Sequence, residues 1–232
     1  SKNSGFAGLN MNSVDFAFGG FFSIGTLSYA WAKLYRKSFL DSNKIEFGDY
    51  RYAEDKIYNY FCYIAGARYA FIDKKIYVYR RNEQSVSNTY RKDGDKDWMR
   101  IAQDLQDKID SLNYEKKQYS QDEIENYESI VAWTIYFAAF FDGKMEYEYS
   151  TGKIRTVINL LKRYASYDLT KKYLKNPLRY TKKIPALSYK IMLGGFAFLM
   201  KCNMYLLLSL GIKLLVDCHI DERLSDTGRK ED

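Results

Sequence analysis

Glu54 and Asp55 are an acidic pair placed where a carboxylate can work as a base. From Asp55 onward, Ile57, Phe61, Ile64 and Ala65 give the single apolar stripe of a helix suited to packing on a sheet. The pair therefore lies in or just before a first helical turn. There, unpaired backbone N–H groups and the positive end of the helix dipole favour the ionised carboxylate. An alcohol hydroxyl becomes acidic only as it attacks, so an Asp positioned to take its proton in the transition state is a sufficient base. The plainer role for such a pair is to cap the helix, and Asp and Glu are enriched in first turns for that reason alone. Further along, Phe71 to Asn82 carries Tyr77, Tyr79, Arg80 and Arg81, an aromatic and guanidinium cluster expected on a following strand. Together these residues describe an acid/base site facing a polar, polyhydroxylated substrate.

Four blocks in order sharpen that expectation. They are Trp31-Ala32-Lys33-Leu34-Tyr35, Tyr52-Ala53-Glu54-Asp55, Ile72-Asp73-Lys74 with Tyr77-Val78-Tyr79-Arg80, and Asn82 through Ser87. The set resembles the W-x-K-L-Y, x-E-D and Y-x-Y-R-x-N-x-x-S-x-S blocks of bacterial glycosyltransferase family 2 enzymes of the GT-A fold, over residues 11 to 90. The resemblance implies that Asp55 is the catalytic base and that Glu54 orients the acceptor or supports Asp55. It also implies that Trp31, Lys33 and Tyr35 supply stacking and a cation near the acceptor or leaving group. Tyr77 and Tyr79 would line the substrate, and Arg80 or Arg81 would steady a leaving diphosphate, since a guanidinium pairs bidentately with phosphate oxygens. Ala32 departs from the pattern, standing where an Asn is common. Nothing before Trp31 supplies the family's Asp-x-Asp motif. The resemblance thus implies the acceptor-side, C-terminal half of an inverting enzyme, inactive alone. The nucleotide sugar and its divalent cation, Mg or Mn, would belong to an upstream half; this chain would hold no cofactor or metal itself.

These residues need elements to position them. Val14 to Phe22, broken by Gly19 and Gly20, reads as one strand. The resemblance makes the fold class α/β: residues 1–90 form the acceptor-binding part of a GT-A-like catalytic domain, a partial sheet with helices. Residues 91–232 read as a mainly α-helical extension. Asp93-Gly94-Asp95 lies in a polar linker, where a solvated connection is expected, with Asp97 as a cap. Trp98, Ile101, Leu105 and Ile109 mark a helix over 97–112. Ser120 and Glu123 form a capping box for a helix whose later part, Ile130 through Phe141, is apolar nearly all round, with Asp142-Gly143 ending it. Ile154, Val157, Ile158, Leu161 and Ala165 give the next helix.

Composition narrows the function classes. The 232 residues are 47% apolar, enough for one or two cores. Three cysteines, Cys62, Cys202 and Cys218, are too few and scattered for a zinc site or disulfide framework, and the single histidine, His219, lies near the polar tail, where neither a His-based triad nor a His-rich metal cluster is expected. A reducing cytosol is the natural home. The net charge is only +7, yet Leu160 to Lys213 holds eleven Lys or Arg against one acid, Asp168. Through the same segment runs the apolar stretch Ile191 to Val216. Its uninterrupted pieces fall short of the ~20 residues a membrane crossing needs. Lys183, Lys190 and Lys201 would share one helical face beside the apolar one, which suits a helix lying on an anionic leaflet. The expected partners are a nucleotide-sugar donor, a glycan or lipid-linked acceptor and the inner face of the plasma membrane. Nucleic acid ranks last, because no recognition motif is present. The alternative from another class is a non-catalytic helical module that binds a membrane or a partner.

Overall fold

The structure, a computed structural model, describes residues 9–23, 25–72, 74, 76–78, 90–112 and 119–218. Among these residues every regular element is helical and no strand occurs, so the chain is all-α. The expected α/β class and the GT-A resemblance are both corrected by that finding, because a GT-A domain requires a sheet.

The correction begins at Val14–Phe18, which is helix α1 and continues into a π-helical turn over Gly19–Ser23. Ser13 caps α1, its Oγ accepting from the Phe16 amide at 3.2 Å. Phe16, Ala17, Phe18, Gly20 and Phe21 are all buried. A short apolar run buried on every side has no period of its own, so strand and helix look alike in it, and the cap decides. Gly20 lies so close to Leu27 that an added Cβ would sit 2.4 Å from Leu27 Cδ1.

The chain divides into two compact units. The first comprises residues 1–89 and 103–130. It contains α1, a 3-10 turn at Thr26–Ser28, α2 at Lys37–Ser42 and α3 at Glu54–Ile64. The apolar side of α3 meets aromatic rings where a sheet was expected: Phe21 lies 4.5 Å from Tyr60 and Phe16 6.2 Å from Tyr63. On another side, Tyr58 stacks on Phe47 at 4.1 Å and joins Ile45 and Cys62 in a small cluster with Tyr35, Phe39 and Leu40. Large rings bury 150–250 Å² each, which lets short helices hold a core.

The second unit comprises residues 90–102 and 131–232. The helices α4 at Gly94–Leu112 and α5 at Gln121–Tyr149 contribute residues to both units. The capping box that opens α5 is formed as expected: Glu123 N donates to Ser120 Oγ at 3.2 Å and Ser120 N to Glu123 Oε2 at 2.9 Å. Residues 131–139 are buried throughout. Around them follow α6 at Ile154–Ser166, α7 at Asp168–Leu174, α8 at Pro177–Thr181, α9 at Leu187–Lys201 and α10 at Tyr205–Asp217. Trp133 Nε1 donates to the Tyr180 carbonyl at 3.3 Å and Tyr136 Oη to the Tyr173 carbonyl at 3.0 Å, so the buried polar tips are partnered. Asp142 and Gly143 do not end α5, which runs on to Tyr149. Gly143 is there for space: a Cβ would stand 2.9 Å from Ile212 Cδ1 of α10.

Candidate functional site

The start of α3 is where the expected site residues meet. Ala53 precedes the helix in the left-handed region, with φ 56°, and its carbonyl accepts from the Ile57 amide at 3.1 Å. This turn places Glu54 and Asp55 in the first turn of α3, Glu54 exposed and Asp55 half-buried. No side chain caps the helix. The carboxylates therefore stand beside the positive end of the α3 dipole, as the spacing required.

Two residues from the Trp31–Tyr35 segment converge on Asp55. Tyr35 Oη donates to Asn59 Oδ1 at 2.9 Å, and Asn59 Nδ2 donates to the Asp55 carbonyl at 2.7 Å. Asn59 is buried, so this chain fixes the first turn of α3 against Tyr35. Burial, reinforced by the neighbouring Cys62, pushes the Tyr35 hydroxyl well above the ordinary tyrosine value. Lys33 Nζ donates to the Thr26 carbonyl at 2.7 Å and to the Tyr29 carbonyl. Burial brings its pKa down to about 8, while the negative charge of Asp55 pulls the other way. Lys33 is thus within electrostatic reach of Asp55. A second depressed lysine, Lys56, lies with its ammonium 4.6 Å from the Phe22 ring centroid, its pKa brought down to about 8 by burial.

Beside this pair stands a column of three rings. Trp31 stacks on Tyr29 at 4.7 Å and on Tyr77 at 4.8 Å, with interplanar angles of 22° and 16°. Trp31 thus finds its stacking partners within the chain. Tyr29 and Tyr77 are themselves exposed. Tyr79, Arg80 and Arg81 lie outside the described residues. The structure therefore gathers Trp31, Lys33, Tyr35, Asp55 and Tyr77, with Glu54 at the edge. Tyr29 and Asn59 were missed. Asn59 was findable, since a residue four after Asp55 shares its helix face.

A second polar group lies in the other unit. Asp95, which the polar linker reading left to solvent, is 2% exposed. It accepts from Arg163 Nη2 at 3.2 Å and from Tyr167 Oη at 3.0 Å. Asp142 nearby accepts from Tyr164 Oη. Burial raises the Asp142 carboxyl to about 6 against the pull of the Tyr164 hydrogen bond, with Asp95 adding to the rise. Gly94 makes room for it, because a Cβ there would stand 2.9 Å from Asp142 Oδ2. These partners lie on α4, α5 and α6 or at their ends, so the group ties those helices together. Among the described residues no group of three or more His, Cys, Asp or Glu side chains is arranged to hold a metal.

Compared with known proteins, the chain matches no family model, no curated relative and no solved structure.

Proposed function

We propose that the start of α3 is the acceptor side of a glycosyl-transfer site, with Asp55 as the base. One observation carries this reading. Lys33 links the aromatic column to the carboxylate, because its ammonium donates to the Tyr29 carbonyl and feels the negative charge of Asp55. A polyhydroxylated ring fits such a surface: its C–H face lies on an exposed tyrosine while its hydroxyls meet charged groups.

In this reading the acceptor hydroxyl attacks the anomeric carbon of a nucleotide sugar, and Asp55 takes the hydroxyl proton. The new C–O bond forms as the bond to the diphosphate breaks, and the nucleoside diphosphate leaves with the electron pair. One-step displacement inverts the anomeric centre. Lys33, cationic below about pH 8, places a positive charge within electrostatic reach of Asp55. Tyr35 and Asn59 hold the turn. The donor and its divalent cation are assigned to no residue of this chain.

Saturation-transfer NMR with a panel of oligosaccharides tests the acceptor surface. Transfer from the Tyr29 and Tyr77 rings to sugar protons, weakened by Tyr77→Ala, is the expected result. Saccharides that bind the wild type and Tyr77→Ala equally, or none that bind at all, would remove the aromatic column from the reading.

A further inference from the structure

We infer that α9 and α10 dock this chain on an anionic lipid bilayer, lying in the interface without crossing it. The inference rests on α9, α10 and the turn before α9, and is independent of the α3 site. Each is apolar on two sides. The inner side packs into the unit, through Leu193, Phe196, Ala197 and Met200 in α9 and Tyr205, Leu208 and Ile212 in α10. The outer side faces solvent, with Ile191 67%, Leu206 58% and Leu214 59% exposed, alongside Leu187, Phe198 and Leu210. At 100° per residue, Leu187, Ile191 and Phe198 fall within about 40° of one another, and Leu206, Leu210 and Leu214 within about 80°. Two adjacent helices therefore each present a continuous leucine-rich face, which a monomeric surface in water rarely does.

Charge identifies what covers it. Between Leu169 and Val216 there are nine Lys or Arg and no Asp or Glu. Lys190 and Lys201 border one edge of the outer face of α9, about 60–80° from its centre, and Lys213, which pairs with Asp217, borders that of α10. Lys182 and Lys183 stand just before α9 begins at Leu187, so Lys183 joins this rim from the preceding turn and not from α9 itself. Apolar side chains bordered by cations match a lipid surface, where acyl chains lie beneath phosphates. A second copy would bring like-charged rims together, which opposes self-association through this face. Crossing is excluded by length: α9 has 15 residues and α10 has 13, about 22 and 20 Å, against a hydrocarbon core of about 30 Å. No described helix is long and apolar enough to span.

Flotation with vesicles of phosphatidylcholine alone, or mixed equally with phosphatidylglycerol, tests the inference. The full chain is expected to float with the mixed vesicles and far less with the neutral ones. Ile191→Gln, Leu206→Gln and Leu214→Gln together should lower partitioning by at least about tenfold at unchanged helical circular dichroism. Lys182→Gln with Lys190→Gln should lower it about fivefold per lysine on anionic vesicles only. Should the triple variant lose helicity, the lysine pair decides. Failure of the wild type to float with anionic vesicles overturns the inference, as does affinity indifferent to the lysine pair. A concentration-dependent dimer in sedimentation that the triple variant abolishes would assign the face to a second copy instead.

Discussion

Ala32 and Ala53 both hold left-handed backbone, at φ 56°, where a Cβ crowds the neighbouring carbonyl at a cost of roughly 1–2 kcal/mol. Ala32 is exposed, so a residue tolerant of that conformation can replace it without repacking. Ala32→Asn should raise stability by about 0.5–1 kcal/mol, read from urea denaturation midpoints. A lowered midpoint would mean that the turn between Trp31 and Lys33 is not left-handed. Asp142 gives a pH test of opposite character. Its carboxyl is held near 6 in the fold against 3.8 for an ordinary Asp, so the folded state binds the extra proton between these values. Its contribution is fully present below about 4 and is lost as pH rises through about 6, an effect on the order of 3 kcal/mol. Thermal melts of Asp142→Asn should lose this falling component between pH 4 and 6.5, because Asn still accepts from Tyr164 but cannot ionise. An unaltered profile would place Asp142 in water. None of this was legible from Asp93-Gly94-Asp95 or Asp142-Gly143 in the sequence. Burial of a carboxylate depends on partners such as Arg163 and Tyr164, which are distant along the chain.

At the scale of elements, local signals were read well and tertiary ones were not. The Ser120 to Glu123 box and the stripes of α3, α4 and α6 are periodic or capped, and each forms a helix. Val14 to Phe22 was misread because an apolar run without alternation does not distinguish strand from buried helix. Gly143 was misread because its glycine answers to α10, nearly seventy residues away, and not to a helix end. That contact predicts a size-dependent response. Gly143→Ala should be close to neutral, since the gain in helix propensity of about 1 kcal/mol offsets a small shift of the Ile212 tip. Gly143→Leu should cost about 1–3 kcal/mol by overfilling the α5 and α10 contact. Equal effects of the two substitutions, measured by chemical denaturation, would show that α10 does not rest on Gly143.

For the molecule as a whole, basic residues and exposed leucines share α9 and α10, while the carboxylates proposed for acid/base chemistry stand at the start of α3. The charge asymmetry was plain in the sequence; the exposure of the leucines was not, because an apolar helix reads the same whether its second face meets core or solvent. Lys33, Tyr35 and Asp55 stood out in the sequence only as an ordered set of blocks, and the GT-A fold those blocks resembled is not the one found. The sheet expected beneath them was not found, because the aromatic residues of α1 and its π-helical turn occupy that place against α3. The account turns on Asp55 as the proton acceptor. Its most direct test is transfer from a nucleotide sugar to an acceptor hydroxyl by a protein carrying this chain, compared between wild type and Asp55→Asn. A loss of kcat of at least about 10²-fold with donor binding retained is the predicted result; turnover unchanged by Asp55→Asn would contradict it.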